Sequence, residues 1–221
     1  VQSHSFLTHN PLRKQAYEIL KEAIILNHLK ESEPIQEKMA KERYGISRTP
    51  FREAIQALEA DGWVQTIPYK GTFVSPLTVQ DIEEIFELRI LVEVHLLKQN
   101  QGSITKEQIQ KLEYLHGQMQ TAHQFQNEQE FIKFDRDFHT FLAELGNNRR
   151  IRALYDQLSD NMRRIGMKVL VKERRAEEVL EEHQLIIDCL RKGTGETALF
   201  EHLSRTKETF IQLFERKDEE I

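Results

Sequence analysis

A chain of 221 residues, 39 % hydrophobic and 30 % charged, has the make-up of a globular protein rather than a disordered or fibrous one. Its net charge of −5 argues against a uniformly basic nucleic-acid binder, and its one cysteine, Cys189, excludes an internal disulfide and favours a reducing compartment. No apolar run approaches the ~18 residues of a membrane span, the best stretch, Ile82 to Leu97, being broken by Glu83, Glu84, Glu87, Arg89, Glu93 and His95.

The first ten residues, VQSHSFLTHN, lack the basic-then-apolar layout of a signal peptide, so a cytoplasmic location is expected. All five prolines (Pro11, Pro34, Pro50, Pro68, Pro76) precede residue 78. The proline-free remainder, rich in Leu, Glu, Lys and Gln, reads as all-helical. Two domains are therefore expected, 1–77 and 78–221. The charge divides with them: residues 1–77 hold 10 Lys/Arg against 9 Asp/Glu, residues 78–221 hold 21 against 27.

In the first domain, Leu12 to Leu26 carries Ala16, Ile19, Leu20, Ala23 and Ile24 at helical spacing. Pro34 to Tyr44 reads as a second helix with Gly45 as its C-cap, and Ser47 caps a third that runs to about Ala60. Pro50 falls in the first turn, where its missing N–H costs little. Trp63–Ile67 and Thr72–Ser75 then read as two strands joined by Pro68-Tyr-Lys-Gly71.

The second domain reads as about six helices. Thr78-Val-Gln-Asp81 has the capping-box form and opens Asp81–Asn100; Thr105-Lys-Glu-Gln108 opens Thr105–Gln124. Glu128–Leu145, Asn148 to about Leu170, Glu173–Arg191 and Gly195–Lys217 follow. Phe131, Phe134, Phe138 and Phe141 form a core stripe, Glu173 to Glu182 a solvated face, and Cys189 an inert thiol.

On the third helix, Phe51, Ala54, Ile55 and Leu58 face inward, while Ser47, Arg48, Thr49 and Arg52 line the other side. Arg48 and Arg52 are four apart and project from one face, at a helix N-terminus that favours phosphate. Arginine can read guanine bidentately, and hydroxyls can hold phosphates. Lys70 sits at the hairpin tip. A solvated face bearing two arginines is the plainer alternative. The strings Gly45-Ile-Ser-Arg-Thr-Pro-Phe-Arg-Glu-Ala54, Leu58-Glu-Ala-Asp-Gly-Trp-Val64 and Lys70-Gly-Thr-Phe-Val74 resemble the winged helix-turn-helix of GntR-type bacterial transcription regulators over roughly residues 12–77. The resemblance implies that Lys38, Ser47, Arg48, Thr49, Arg52 and Lys70 touch operator DNA. The family often has Arg where Lys38 stands, and Lys lacks the bidentate fork.

In the second domain, Asp135 and His139 share one helical face at i, i+4, a spacing that can offer two metal ligands or form a simple hydrogen-bonded pair. The strings Glu87-Leu-Arg89-x-x-Val-Glu93, Asp135-x-x-Phe138-His139-x-x-Leu142, Gly146-Asn147 and Glu182-His183-x-x-Ile186 resemble the FadR-like branch of GntR regulators, whose C-terminal helical domain is called FCD. Many such domains hold a divalent metal (Zn, Ni or Mn) on an Asp and three His. By resemblance Asp135, His139 and His183 supply three ligands, while the usual fourth position, 22 residues after the third, is Arg205, which cannot ligate a metal. Three readings stand open. Three ligands plus water or effector hold the metal, His202 replaces the fourth ligand, or Arg205 binds an anionic effector directly. Arg89 matches a pocket-wall position and can pair with an effector carboxylate or with Glu93.

The resemblance implies a mainly α fold, a winged helix-turn-helix followed by a helical bundle. It also implies a transcriptional regulator, most often a repressor, that binds a palindromic operator as a homodimer and answers to a small carboxylate-type metabolite, with no membrane partner and no enzymatic activity. Two rival expectations are a metal-dependent hydrolase using Asp135, His139 and His183, and an effector-blind architectural DNA binder.

Overall fold

The computed structural model describes residues 11–146, 148–169 and 175–218. The chain divides after Pro76 into two compact units. The expected helix limits Leu170 and Glu173, and Asn147 of the Gly146-Asn147 pair, lie outside the described residues.

The first unit holds α1 (Leu12–Ile25), α2 (Glu37–Tyr44), α3 (Arg48–Ala60), β1 (Val64–Ile67) and β2 (Gly71–Val74). The 3.6-residue period of α1 and α3 buries Ala16, Leu20, Ala23 and Ile24 against Phe51, Ala54, Ile55 and Leu58. Leu20 and Leu58 are fully buried, each worth about 1.5–3 kcal/mol of transfer free energy. Gly45 ends α2 in the left-handed conformation at φ 69°, as its C-cap position demands.

The second helix is shorter than expected. Pro34 does not open it: Ile35 N–H donates to Thr72 O (2.8 Å) and Val74 N–H to Glu33 O (3.1 Å), so this stretch runs extended beside β2. Proline's fixed φ and missing N–H suit such an edge segment. β1 and β2 pair antiparallel from Val64↔Val74 to Ile67↔Gly71. Thr66 N–H donates to Glu59 Oε1 (2.8 Å), tying the hairpin to α3.

Every element among the described residues of the second unit is a helix. The unit comprises α4 (Val79–Arg89), a π turn (Ile90–Val94), α5 (His95–Asn100), a 3-10 turn (Gln101–Ser103), α6 (Lys106–Gln124), α7 (Glu128–Glu144), α8 (Arg149–Val169), α9 (Arg175–Arg191) and α10 (Glu196–Asp218). Both capping boxes form, Thr78 with Asp81 and Thr105 with Gln108. The expected single helix from Asp81 to Asn100 is instead interrupted by the π turn, whose extra residue re-phases the faces and buries Glu93 completely. Phe131 and Phe138 are buried, and Phe134 and Phe141 pack half-buried against the same clusters. The charged run at the start of α9 is not a solvated face at both ends: Arg175 and Glu182 are buried, because they pair with each other.

Candidate functional sites

Three helices bring a cluster of imidazoles together inside the second unit. α7 supplies His139, α9 His183 and α10 His202, all buried, with ligand atoms within 4.8 Å of one another. His202 Nε2 lies 3.2 Å from His139 Nε2 and 3.2 Å from His183 Nε2. Asp135 Oδ1 stands 3.6 Å from His183 Nε2 and 4.0 Å from His139 Nε2.

The outward nitrogens explain why the inward ones face each other. His139 Nδ1 lies 2.6 Å from Glu93 Oε2, and His202 Nδ1 lies 2.7 Å from Glu182 Oε2. Burial alone would raise the Glu93 carboxyl, but the charge of Arg89 and the contacts of His139 and Tyr155 outweigh it and hold the pKa at about 2. At Glu182 burial is likewise outweighed, by the bonds from His202 and Arg175, again to about 2. Both acids are therefore carboxylates that accept Nδ1–H, which leaves the Nε2 lone pairs of His139 and His202 facing one another.

Two lone pairs at 3.2 Å repel unless a cation lies between them. A proton is disfavoured on His183 and on His202. Burial and the neighbouring imidazoles hold His183 well below its ordinary pKa, and burial outweighs Glu182's opposite pull on His202. A divalent metal fits: ligand nitrogens about 2.0–2.1 Å from a tetrahedral zinc stand roughly 3.3 Å apart. Three imidazoles and a carboxylate also suit Zn, Ni or Mn. Among the described residues His183 Nδ1 has no hydrogen-bond partner, and its ring is instead held by Phe138, stacked at 4.3 Å.

Arg205 is not in this centre. It is exposed, and its NH1 reaches back to Glu182 Oε1 at 2.7 Å. The third imidazole comes from His202, one helical turn earlier, where the periodicity of α10 faces the bundle. Arg205 is likewise absent from the walls of the adjoining cavity, whose volume is about 30 Å³. That cavity is bounded by Arg89, Asp135, Arg136, His139, Tyr155, Ser159, His202 and Thr206, among others. Arg89 is both cavity wall and ion-pair partner, its Nε donating to Glu93 Oε1 at 2.7 Å. Arg136 Nε donates to Ser159 Oγ at 2.9 Å. Sequence reasoning missed Tyr155, Glu182 and Arg175 as parts of this centre. Glu182 precedes His183 directly, but only the fold turns it toward His202.

In the first unit, Lys38, Ser47, Arg48, Thr49, Arg52 and Lys70 are all exposed. Ser47 occupies the N-cap of α3 without a side-chain cap bond. Arg48 Nε lies 3.4 Å from Glu37 Oε2, and Lys38 Nζ 4.0 Å from Glu42 Oε1, both pairs at the surface. Gln56, one turn past Arg52, extends the exposed stripe and had no sequence signal beyond its spacing.

The gntR family of bacterial regulatory proteins matches residues 12–74, and the FCD domain family matches residues 84–203. The chain is a GntR-family regulator with an FCD domain. A Bacillus subtilis HTH-type transcriptional regulator, YdhC, is 29 % identical over 189 residues, 85 % of this chain and 84 % of its own. The HTH-type transcriptional repressor RspR of Escherichia coli is 25 % identical over 206 residues, 92 % of this chain and 90 % of its own. The solved E. coli McbR/YncC shares the fold with a TM-score of 0.77 at 19 % identity, over 95 % of this chain and 99 % of that one. The fold is the GntR-like winged helix-turn-helix followed by a helical domain, and the relatives are transcription regulators rather than enzymes, which removes the hydrolase reading. No helix among the described residues is long and apolar enough to cross a membrane.

Proposed function

We propose that this GntR regulator is a cytoplasmic, ligand-responsive repressor. Residues 1–77 read a palindromic operator and residues 78–221 dimerise and bind a small carboxylate-type metabolite. The observation that carries the reading is the buried His139–His183–His202 cluster beside a cavity, in the same chain as an exposed Arg48–Arg52 face. Asp135, His139, His183 and His202 would hold a divalent metal. When bound, it supplies a Lewis-acidic point to which an effector carboxylate can attach.

In a homodimer two α3 helices would enter successive major grooves about 34 Å apart on the operator. Arg48 and Arg52 face bases, Ser47, Thr49 and Lys38 hold phosphates, and Lys70 reaches the flanking backbone. The modest charge of one domain makes binding depend on both copies. Effector control follows from differential affinity: the metabolite stabilises whichever arrangement it binds better. Arg89, already neutralised by Glu93, orients the incoming carboxylate rather than supplying an unmatched charge.

Gel shifts of the full chain on its own promoter, with metal loaded or stripped and organic acids added, test this reading. The expected result is a specific complex that Arg48→Ala weakens and one class of acid modulates. Equal affinity for promoter and random DNA, unchanged by Arg48→Ala, would sink the DNA-reading part. A specific complex indifferent to every acid and to metal removal would leave an effector-blind DNA binder.

A further inference from the structure

The cavity beside the histidine cluster is smaller than the metabolite proposed to enter it. At about 30 Å³ it has room for about two water molecules, each needing about 10–15 Å³, and a carboxylate group fills it. An open groove of about 770 Å³ lies outside it, between the α6–α7 turn and the start of α9, and is lined by Ala122, Phe131 and Ala176 among others. Among the described residues Ile132 alone borders both spaces, and it is buried. A side chain with a void on either side is the partition between them.

The partition stands in line with the cluster. Ile132, Asp135 and His139 fall at i, i+3 and i+7 along one face of α7. At ~1.5 Å per residue, Ile132 lies roughly 10 Å along the helix from His139. Facing it is Gly166, buried within α8 and a wall of the cavity. A Cβ at 166 would meet Ile132 Cγ2 at 3.5 Å and Cδ1 at 3.6 Å, ordinary contacts, so alanine fits. Glycine is also the weaker helix former of the two. What it leaves is room. No methyl presses on Ile132, whose Cδ1 can swing about χ2 while the branched Cβ keeps the rotamer that a helix favours.

We infer that Ile132 is a specificity-determining gate that selects unbranched aliphatic acids: it turns aside for a chain whose carboxylate reaches the histidine cluster and whose body lies in the groove over Phe131. This rests on the effector-binding role proposed for the second unit. The cavity admits the carboxylate end alone, so an acid branched at the next carbon finds no space on the cluster side of Ile132. Beyond Ile132 the buried ring of Phe131 and the methyl of Ala122 offer an aliphatic chain an apolar surface.

The test is calorimetric titration of the zinc-loaded full-length chain with acetate, octanoate and the branched isomer of octanoate, 2-propylpentanoate, beside stopped-flow association of octanoate. Acetate reports the carboxylate site alone, so affinities are read as ratios to acetate. Octanoate is expected to bind about tenfold tighter than its isomer. Ile132→Val, which removes only Cδ1, should shrink that preference to about threefold or less and speed octanoate association about tenfold. Gly166→Ala, whose methyl holds Ile132 in place, should slow association about tenfold. The metal-free Gly166→Ala chain should melt at the wild-type temperature or higher, and a lower one overturns the room assigned to Gly166. Equal affinity for octanoate and its isomer overturns the inference, as does an association rate that neither substitution moves. A chain that binds none of the three acids overturns the effector-binding role itself. That result is distinct from one in which acetate binds and octanoate does not, which overturns the gate alone.

Discussion

Glu182 Oε2 accepts the Nδ1–H of His202 at 2.7 Å, and the same carboxylate is gripped by Arg175 at 2.7 Å and 3.0 Å and by Arg205 at 2.7 Å. Two arginines thus fix one acid, and the acid fixes which nitrogen of His202 faces the cluster. Arg175 is anchored further by Thr206 Oγ1 at 3.1 Å. Arg205, which stands where the sequence resemblance expects a fourth ligand, acts at one remove through Glu182.

Glu182→Gln is the direct test of that chain. A glutamine can turn its amide N–H toward Nδ1 and so flip His202 to the tautomer whose Nε2 carries hydrogen. Loss of such an outer partner is expected to lower metal affinity about 10–100-fold. Competition for zinc against a chromophoric chelator measures it, and an affinity within about twofold of wild type would contradict the assignment.

His202→Ala and Arg205→Ala separate the ligand from its neighbour. Removing His202 deletes one of three converging imidazoles, and the metal affinity should fall further than in Glu182→Gln. Removing the exposed Arg205 leaves Arg175 on Glu182, so affinity should change only a few-fold. Isothermal titration of the stripped protein with zinc or nickel reads both. The reverse order would return Arg205 to the centre.

The metal-free protein should lose stability as the solution is acidified, in two stages. His183 and His202 have folded pKa values below the ordinary 6.5, burial being the first cause in each. The unfolded chain then binds more protons below that pH, so the folded state loses ground as the pH falls. Glu93 and Glu182 are held at about 2 against an ordinary 4.5. Their stabilisation is complete above 4.5 and is lost as the pH falls toward 2. Melting temperatures of chelator-treated protein should decline below about pH 6.5 and more steeply below about pH 4.5. A flat profile from about pH 8 to about pH 5 would contradict the histidine part.

What the sequence disclosed follows from the range of each signal. The α3 face, the Gly45 cap, both capping boxes and the α1 face apart from the exposed Ile19 depend on neighbours within four residues, so spacing alone reveals them. Pro34 misleads because its place beside β2 depends on Phe73, which is remote in sequence. The π turn at Ile90–Val94 is invisible to a 3.6-residue pattern. His139 and His183 were legible through their motifs. His202 was eclipsed by the count to Arg205, since a fixed spacing cannot tell which turn of α10 faces the bundle. Glu182 looked like one charge among many until α10 was packed against it.

Recognition of DNA should split into a specific and a general part. Arg48 and Arg52 project from one face of α3, and Arg48 is steadied by Glu37 at the surface. Arg48→Ala should weaken binding to the specific duplex by about 10–100-fold and relax preference at the base it faces. Lys38→Ala should weaken all duplexes alike and flatten the salt dependence by about one unit. Fluorescence anisotropy on specific and scrambled duplexes distinguishes them. Equal loss on both duplexes for Arg48→Ala would make it a phosphate contact only.

Phe138 joins the core to the histidine cluster, so its substitution should move two quantities unequally. The ring is fully buried and stacks on His183 with an interplanar angle of 10°. Among the described residues His183 has no hydrogen bond at Nδ1, so the stacked ring orients its plane where Glu93 and Glu182 hold the other two imidazoles by hydrogen bonds. Phe138→Ala should cost about 3–5 kcal/mol by leaving a cavity. Phe138→Leu fills most of the volume and should cost about 1–2 kcal/mol, but it removes the flat surface that orients His183. The leucine variant should therefore remain folded, with a denaturant midpoint near wild type, while metal affinity drops about tenfold through a loosened ligand. Chemical denaturation beside metal titration separates the two effects, because a variant that keeps its full metal affinity would show that burial alone orients His183.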